Sequence, residues 1–207
     1  MHTSGCSTIA TVSSAHPEGM APRLDTVLGT PELPLAELCA ARLDGELLAC
    51  AGRYLMVDAP DTAEVRAELA HAGRSDRVIV ERRSAAWVHG ALAVPPPIPQ
   101  LCVSTSARTR RPLAGLREVR FDDGDLVLLG GVAVTSPLRT VLDLVRSAGD
   151  DEHAEDRSAL HALLDSAGIA PEEAATRLDE RRKLPGKERA LRRLRALAQP
   201  AETRYTS

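Results

Sequence analysis

Between Gly130 and Arg146 the chain reads GGVAVTSPLRTVLDLVR, and within that stretch the apolar spacing changes from alternation to a helical period. Val132 and Val134 alternate behind Gly130-Gly131, as in a half-buried strand leaving a turn. Leu138, Val141, Leu142 and Val145 then recur at i, i+3, i+4 and i+7, which gathers them on one side of a helix. Arg139, Asp143 and Arg146 fall on the other side. Thr135 or Ser136 can accept a hydrogen bond from the open N–H groups of the first turn, and Pro137 suits the first helical position, where no N–H is needed. None of these residues is a nucleophile, a metal ligand or a phosphate loop, so the stretch reads as the structural core of an α/β unit.

The same spacing arguments extend along the chain. Leu35, Leu38, Cys39 and Arg42 follow Pro34 at helical intervals, Gly45 ends that helix, and GELLACAGRYLMVD alternates toward a hairpin at Ala51-Gly52. A helix, a glycine and a hairpin in that order form the second half of a winged helix. The preceding Leu24 to Leu28 is too short for its first helix. Val65, Leu69 and Ala72 predict a helix after Pro60, followed by the apolar run Val78 to Val80. ERRSAAWVHGAL predicts a helix with Trp87 and Val88 inward, and Pro95-Pro96-Pro97 separates it from the strand LCVST. Val119 and Phe121, the turn Asp122-Asp123-Gly124-Asp125, and Leu126 to Leu129 predict a hairpin. The last third is helical: Leu160, Leu163, Leu164 and Ala167 form one stripe, Pro171-Glu172-Glu173 opens a second helix, and Leu191, Leu194 and Ala198 back a third.

These elements predict an α+β protein with a disordered leader over 1–22, a shortened winged helix over 23–60 and a mixed α/β domain with a small sheet and a helical end over 61–207. Met20 is an alternative start within the leader.

Composition narrows the function classes. Hydrophobic residues make up 43% of 207, enough for a core, whereas aromatics make up 2%. A stacking platform for single-stranded nucleic acid needs several exposed rings and is excluded on that ground. With no apolar run near the length of a membrane span and no secretory leader pattern, the expected location is the cytoplasm. Cys6, Cys39, Cys50 and Cys102 contain no Cys-x-x-Cys pair, and the six histidines are scattered, so no metal and no cofactor are expected. His89 has no Ser, Cys or carboxylate pattern beside it, and no catalytic residue is assigned.

Net charge is −3, but the charges are segregated. Residues 1–70 carry four Arg against ten acids, 71–147 eleven Arg against seven, 148–180 two Arg against ten, and 181–207 nine Lys or Arg against two. A local basic face is therefore compatible with an acidic chain. Arg42 on the helix after Pro34 and Arg53 at the hairpin tip are the candidate DNA contacts of a winged helix. Arg108, Arg110 and Arg111 in SARTRRPL form a second basic group. Arg192, Arg193 and Arg195, with Arg189, cover one face of the terminal amphipathic helix. Both groups suit a phosphate backbone or an acidic protein partner.

LPLAELCAARLDGELL, ERRSAAWVHGAL, LCVST, REVRFDDGDLVLLGG and the GGVAVTSPLRTVLDLV segment occur in that order between Leu33 and Val145. In this the chain is similar to the actinobacterial branch of the AbiEi-type antitoxins of type IV toxin-antitoxin systems. The resemblance implies a winged-helix N-terminal domain, a C-terminal α/β domain, binding to double-stranded DNA of the chain's own promoter, and opposition to a nucleotidyltransferase-like toxin. The alternative is a non-enzymatic protein-interaction module that has lost DNA binding. The TSPLRT-type segment also resembles small proteins with a restriction-endonuclease-like domain. Their metal-binding carboxylates and Lys are expected on a following sheet that this sequence does not show, so no nuclease activity is expected.

Overall fold

Val27–Leu28 (β1), Leu35–Leu43 (α1), Leu47–Cys50 (β2) and Arg53–Met56 (β3) make a small unit at the start of the computed structural model, which describes residues 26–50, 52–105, 115–147, 154–181 and 185–198. β3 pairs antiparallel with both β1 and β2, giving the order β1-β3-β2. Cys50 pairs with Arg53, so a tight hairpin joins β2 to β3, and Ala51 of the expected turn lies outside the described residues. Leu28, Leu38 and Leu47 form the inner face of this unit.

A second sheet follows, of order β6-β5-β4-β8-β7, from Val78–Val80 (β4), Leu101–Ser104 (β5), Arg117–Val119 (β6), Leu126–Leu129 (β7) and Val132–Thr135 (β8). β4 and β8 are parallel, and each leads into a helix at its carboxyl end: Arg82–Val88 (α3) and Pro137–Ser147 (α4). Ala63–His71 (α2) packs on one sheet face, where Ala67, Leu69 and Ala70 meet Val80, Trp87 and Val134. Its first turn is capped by Thr62, whose hydroxyl accepts the Val65 N–H at 3.4 Å. Val27 of β1 is buried in the same cluster, joining the small unit to this layer.

Ala154–Ala167 (α5), Pro171–Glu180 (α6) and Lys187–Leu197 (α7) pack with α4 around Leu142, Leu163, Leu178 and Leu194. Seven helices and two small sheets among the described residues make an α+β fold. Among those residues, no helix is long and apolar enough to cross a membrane.

The hairpin expected between Val119 and Leu129 does not form. β6 pairs in parallel with β5, while β7 pairs with β8, so the two strands lie at opposite edges of the sheet. The Gly130-Gly131 connection decides this. Both glycines have positive φ, 56° and 83°, the backbone that a two-residue turn needs to match strand twist, and it joins Leu129 to Val132. Space is also short at Gly130, where an added Cβ would lie 3.3 Å from Glu64 Cβ.

Candidate functional site

The small N-terminal unit is the natural place to seek a nucleic-acid contact. α1 buries Leu38 inward, and Arg42 lies exposed on it. Arg53 does not. Its side chain is only 11% exposed, forms an ion pair with Glu32 at 3.4 Å and lies against Gly29, where a Cβ would sit 2.3 Å from the guanidinium. Glu32 also accepts the Gly29 N–H at 2.6 Å, so a turn before α1 holds the carboxylate that draws Arg53 in. Arg53 at the hairpin tip is therefore an internal brace, which corrects the expectation of a wing residue turned to phosphate. Glu37, Asp44 and Glu46 remain exposed around Arg42. Leu35 and Leu43 are 57% and 85% exposed.

On α7, Arg192 and Arg195 are exposed and follow the predicted basic face. Arg193 departs from it, because its guanidinium donates to the Val145 carbonyl at 3.0 Å and ties α7 to the end of α4. Arg108, Arg110 and Arg111 lie outside the described residues.

A charge network that sequence reasoning missed lies at the carboxyl end of β8. Helical spacing put Arg139 and Asp143 on the outward side of α4, yet both are buried, at 4% exposure each. The reason is that α4 packs against α3, α5 and α7, and its Arg139 meets the turn after β6. Arg139 donates from Nε to Asp143 at 2.8 Å, pairs closely with Asp125, reaches the Arg120 carbonyl at 3.3 Å, and stacks 4.7 Å from the Phe121 ring centre. Asp125 in turn accepts from Arg181 of the α6 terminus at 2.5 Å, and Asp143 has Arg146 at 3.4 Å. The result is an alternating row of charges, Arg181, Asp125, Arg139, Asp143 and Arg146, with arginine at each end. The Asp122–Asp125 segment is thus a turn, as expected, whose last carboxylate is also the hub between β7, α4 and α6.

Burial pushes the Asp125 carboxyl upward, but the Arg181 hydrogen bond, the Asp122 backbone N–H and the Arg139 and Arg181 charges outweigh it. The net effect holds Asp125 below the ordinary carboxylate range. A depressed native pKa contributes stability above the unfolded value of about 3.9, and that contribution is lost as pH falls through the native value. Urea unfolding of the wild-type chain should therefore lose stability more steeply below about pH 4 than that of Asp125→Asn, the two curves converging in acid. Curves that stay parallel would show that Asp125 is not held ionised by its arginines.

A second ion pair, with only its carboxylate buried, joins β4 to β6. Glu81, at the end of β4 and 2% exposed, takes both carboxylate oxygens to Arg117, one at 2.7 Å from Nε. Burial and the Glu81 carboxylate raise the Cys102 thiol pKa, so this cysteine stays protonated and unreactive. His89 points its Nε2 at the Thr135 carbonyl, 2.7 Å away, and burial lowers its pKa despite that hydrogen bond. It links α3 to the strand before α4. Among the described residues no three His, Cys, Asp or Glu side chains gather as a metal-holding group.

No protein-family model matches this chain, and no curated protein matches it significantly. Function therefore rests on the site itself. Of the eight arginines picked out in the sequence, Arg42, Arg192 and Arg195 are presented to solvent, Arg53 and Arg193 are engaged internally, and three fall outside the described residues. The missed groups are Glu81, Asp125, Asp143, Arg139 and Arg181. A usable signal was present for one pair alone: an Arg and Asp at i, i+4 inside a strongly amphipathic helix.

Proposed function

We propose that the chain is a non-enzymatic, cytoplasmic AbiEi-type antitoxin that binds double-stranded DNA upstream of its own gene through α1 and opposes a nucleotidyltransferase-like toxin. The supporting observation is the β1-α1-β2-β3 unit with sheet order β1-β3-β2, the strand arrangement of a winged helix, which leaves Arg42 of α1 on the solvent side. The exposed Arg192 and Arg195 add backbone affinity without sequence information.

An electrophoretic titration at two salt concentrations, on the upstream fragment and on random DNA, tests this. Binding should weaken strongly with salt, because each neutralised phosphate releases counterions. Arg42→Ala should cost about 1–3 kcal/mol on the upstream fragment. Removing Arg192 and Arg195 together should weaken both DNAs alike and flatten the salt slope. A chain that shifts neither fragment at low salt is not an autoregulator.

The second reading, a protein-interaction module of the same fold, is favoured by one observation. Residues 26–57 carry Arg42 and Arg53 against Glu32, Glu37, Asp44 and Glu46, and Arg53 is spent on Glu32. Such a surface repels a phosphate backbone, whereas exposed Leu35 and Leu43 suit contact with a protein. Loss of DNA binding together with retained capture of the toxin would select it.

A further inference from the structure

Arg181, Asp125, Arg139 and Arg146 of the alternating row of charges line an open cleft of about 690 Å3, which lies within the size range of small-molecule sites. The cleft opens beside the carboxyl end of β8, and Ser136 and Leu138 of the first α4 turn form part of its wall. Ligands of α/β sheets favour this position, outside the carboxyl ends of parallel strands.

The charges around it are not evenly satisfied. Asp125 and Asp143 serve Arg139 with one oxygen each, and Arg181 takes the second oxygen of Asp125. Arg146 is left with one long contact, 3.4 Å to Asp143, and its buried Nε has no hydrogen-bond partner. Burial and the charges of Arg139, Arg117 and Arg181 act against its protonated form, and the Asp143 charge offsets them only in part. The row thus holds three guanidinium groups against two carboxylates. Arg181 has a further carboxylate, Asp122, at 3.9 Å on the open side, so the shortfall of negative charge falls on Arg146. An oxyanion at that end would satisfy a buried donor and remove the repulsion among the arginines.

The rest of the lining carries the opposite character. Asp122, Asp123 and Glu180 stand exposed at the mouth and accept hydrogen bonds only, so they suit hydroxyl or amino groups on the part of a ligand away from its anion. Leu138 and Leu142 supply an apolar wall. We propose that this cleft binds a small phosphorylated molecule bearing hydroxyl or amino groups, with its phosphate on Arg146 and its polar body against Asp122, Asp123 and Glu180. The site is independent of α1 and of any DNA contact.

Isothermal titration calorimetry on the full chain, at fixed ionic strength, tests the proposal with adenosine 5′-monophosphate as probe and adenosine and inorganic phosphate as comparators. The monophosphate should bind saturably, adenosine should show no binding over the same range, and inorganic phosphate should compete. Arg146→Gln should weaken the monophosphate about tenfold or more, the ratio of one charge-assisted contact. The Arg192→Ala and Arg195→Ala pair should leave it unchanged. Because Arg146 is partly buried, Arg120→Glu at the exposed mouth gives a variant that breaks no internal pair and should also weaken binding. Absence of saturable binding, equal binding of adenosine, or indifference to both Arg146→Gln and Arg120→Glu would overturn the site.

Discussion

Replacing Arg139 with Leu should destabilise the protein by about 3–5 kcal/mol, a large part of the roughly 5–15 kcal/mol that holds a domain folded. The size follows from what is left behind. Asp125 and Asp143 are 7% and 3% exposed at their side chains and share Arg139 as their central partner. Without it, two buried carboxylates face each other across the α4 start, and the lost stacking on Phe121 adds to the deficit. Replacing all five members of the row by apolar groups of similar volume, which strands no charge, should restore most of the loss, since desolvation and attraction nearly cancel in an intact buried pair. Denaturant unfolding of the single and fivefold variants gives both values. A single variant within about 1 kcal/mol of wild type would mean that the row of charges is solvated and that its geometry matters little.

Leu142→Ala should cost about 2–5 kcal/mol. Leu142 is 1% exposed and lies on the side of α4 packed against the α5–α7 bundle, where Leu160, Leu163, Leu178 and Leu194 fill the space around it. A closed cluster of leucines relaxes poorly into a hole, so the cavity adds to the lost transfer energy. Leu128→Ala is the matched comparison, because Leu128 is 75% exposed on an edge strand and should change stability by no more than about 0.5 kcal/mol. Equal thermal shifts for the two leucines would place the α4 stripe in the wrong environment.

Much of the local structure was legible from spacing and capping alone. Leu35–Leu43 after Pro34, the β2–β3 hairpin, the Trp87 helix and the Ser136-Pro137 start of α4 each follow from a pattern within a dozen residues, and each forms where that pattern places it. Ser136 even accepts the Arg139 N–H, at 3.4 Å, as its place before Pro137 requires. These features depend on neighbours in sequence, and so the sequence by itself determined them.

Tertiary structure decided what depends on distant neighbours. Alternation marks Arg117–Val119 as a strand but does not name its partner, and the parallel edge of β5 took it because β7 was already claimed by the tight glycine turn to β8. The i, i+4 spacing of Arg139 and Asp143 marks a shared helix side but not whether water or Asp125, fourteen residues earlier, meets it. Arg53 likewise sits where a wing would expose it, yet Glu32 and the bare backbone of Gly29 turned it inward. A charge is cheap in water and costly when buried alone, so its place is set by whichever opposite charge the fold brings within reach, and periodicity along the chain carries no record of that distance.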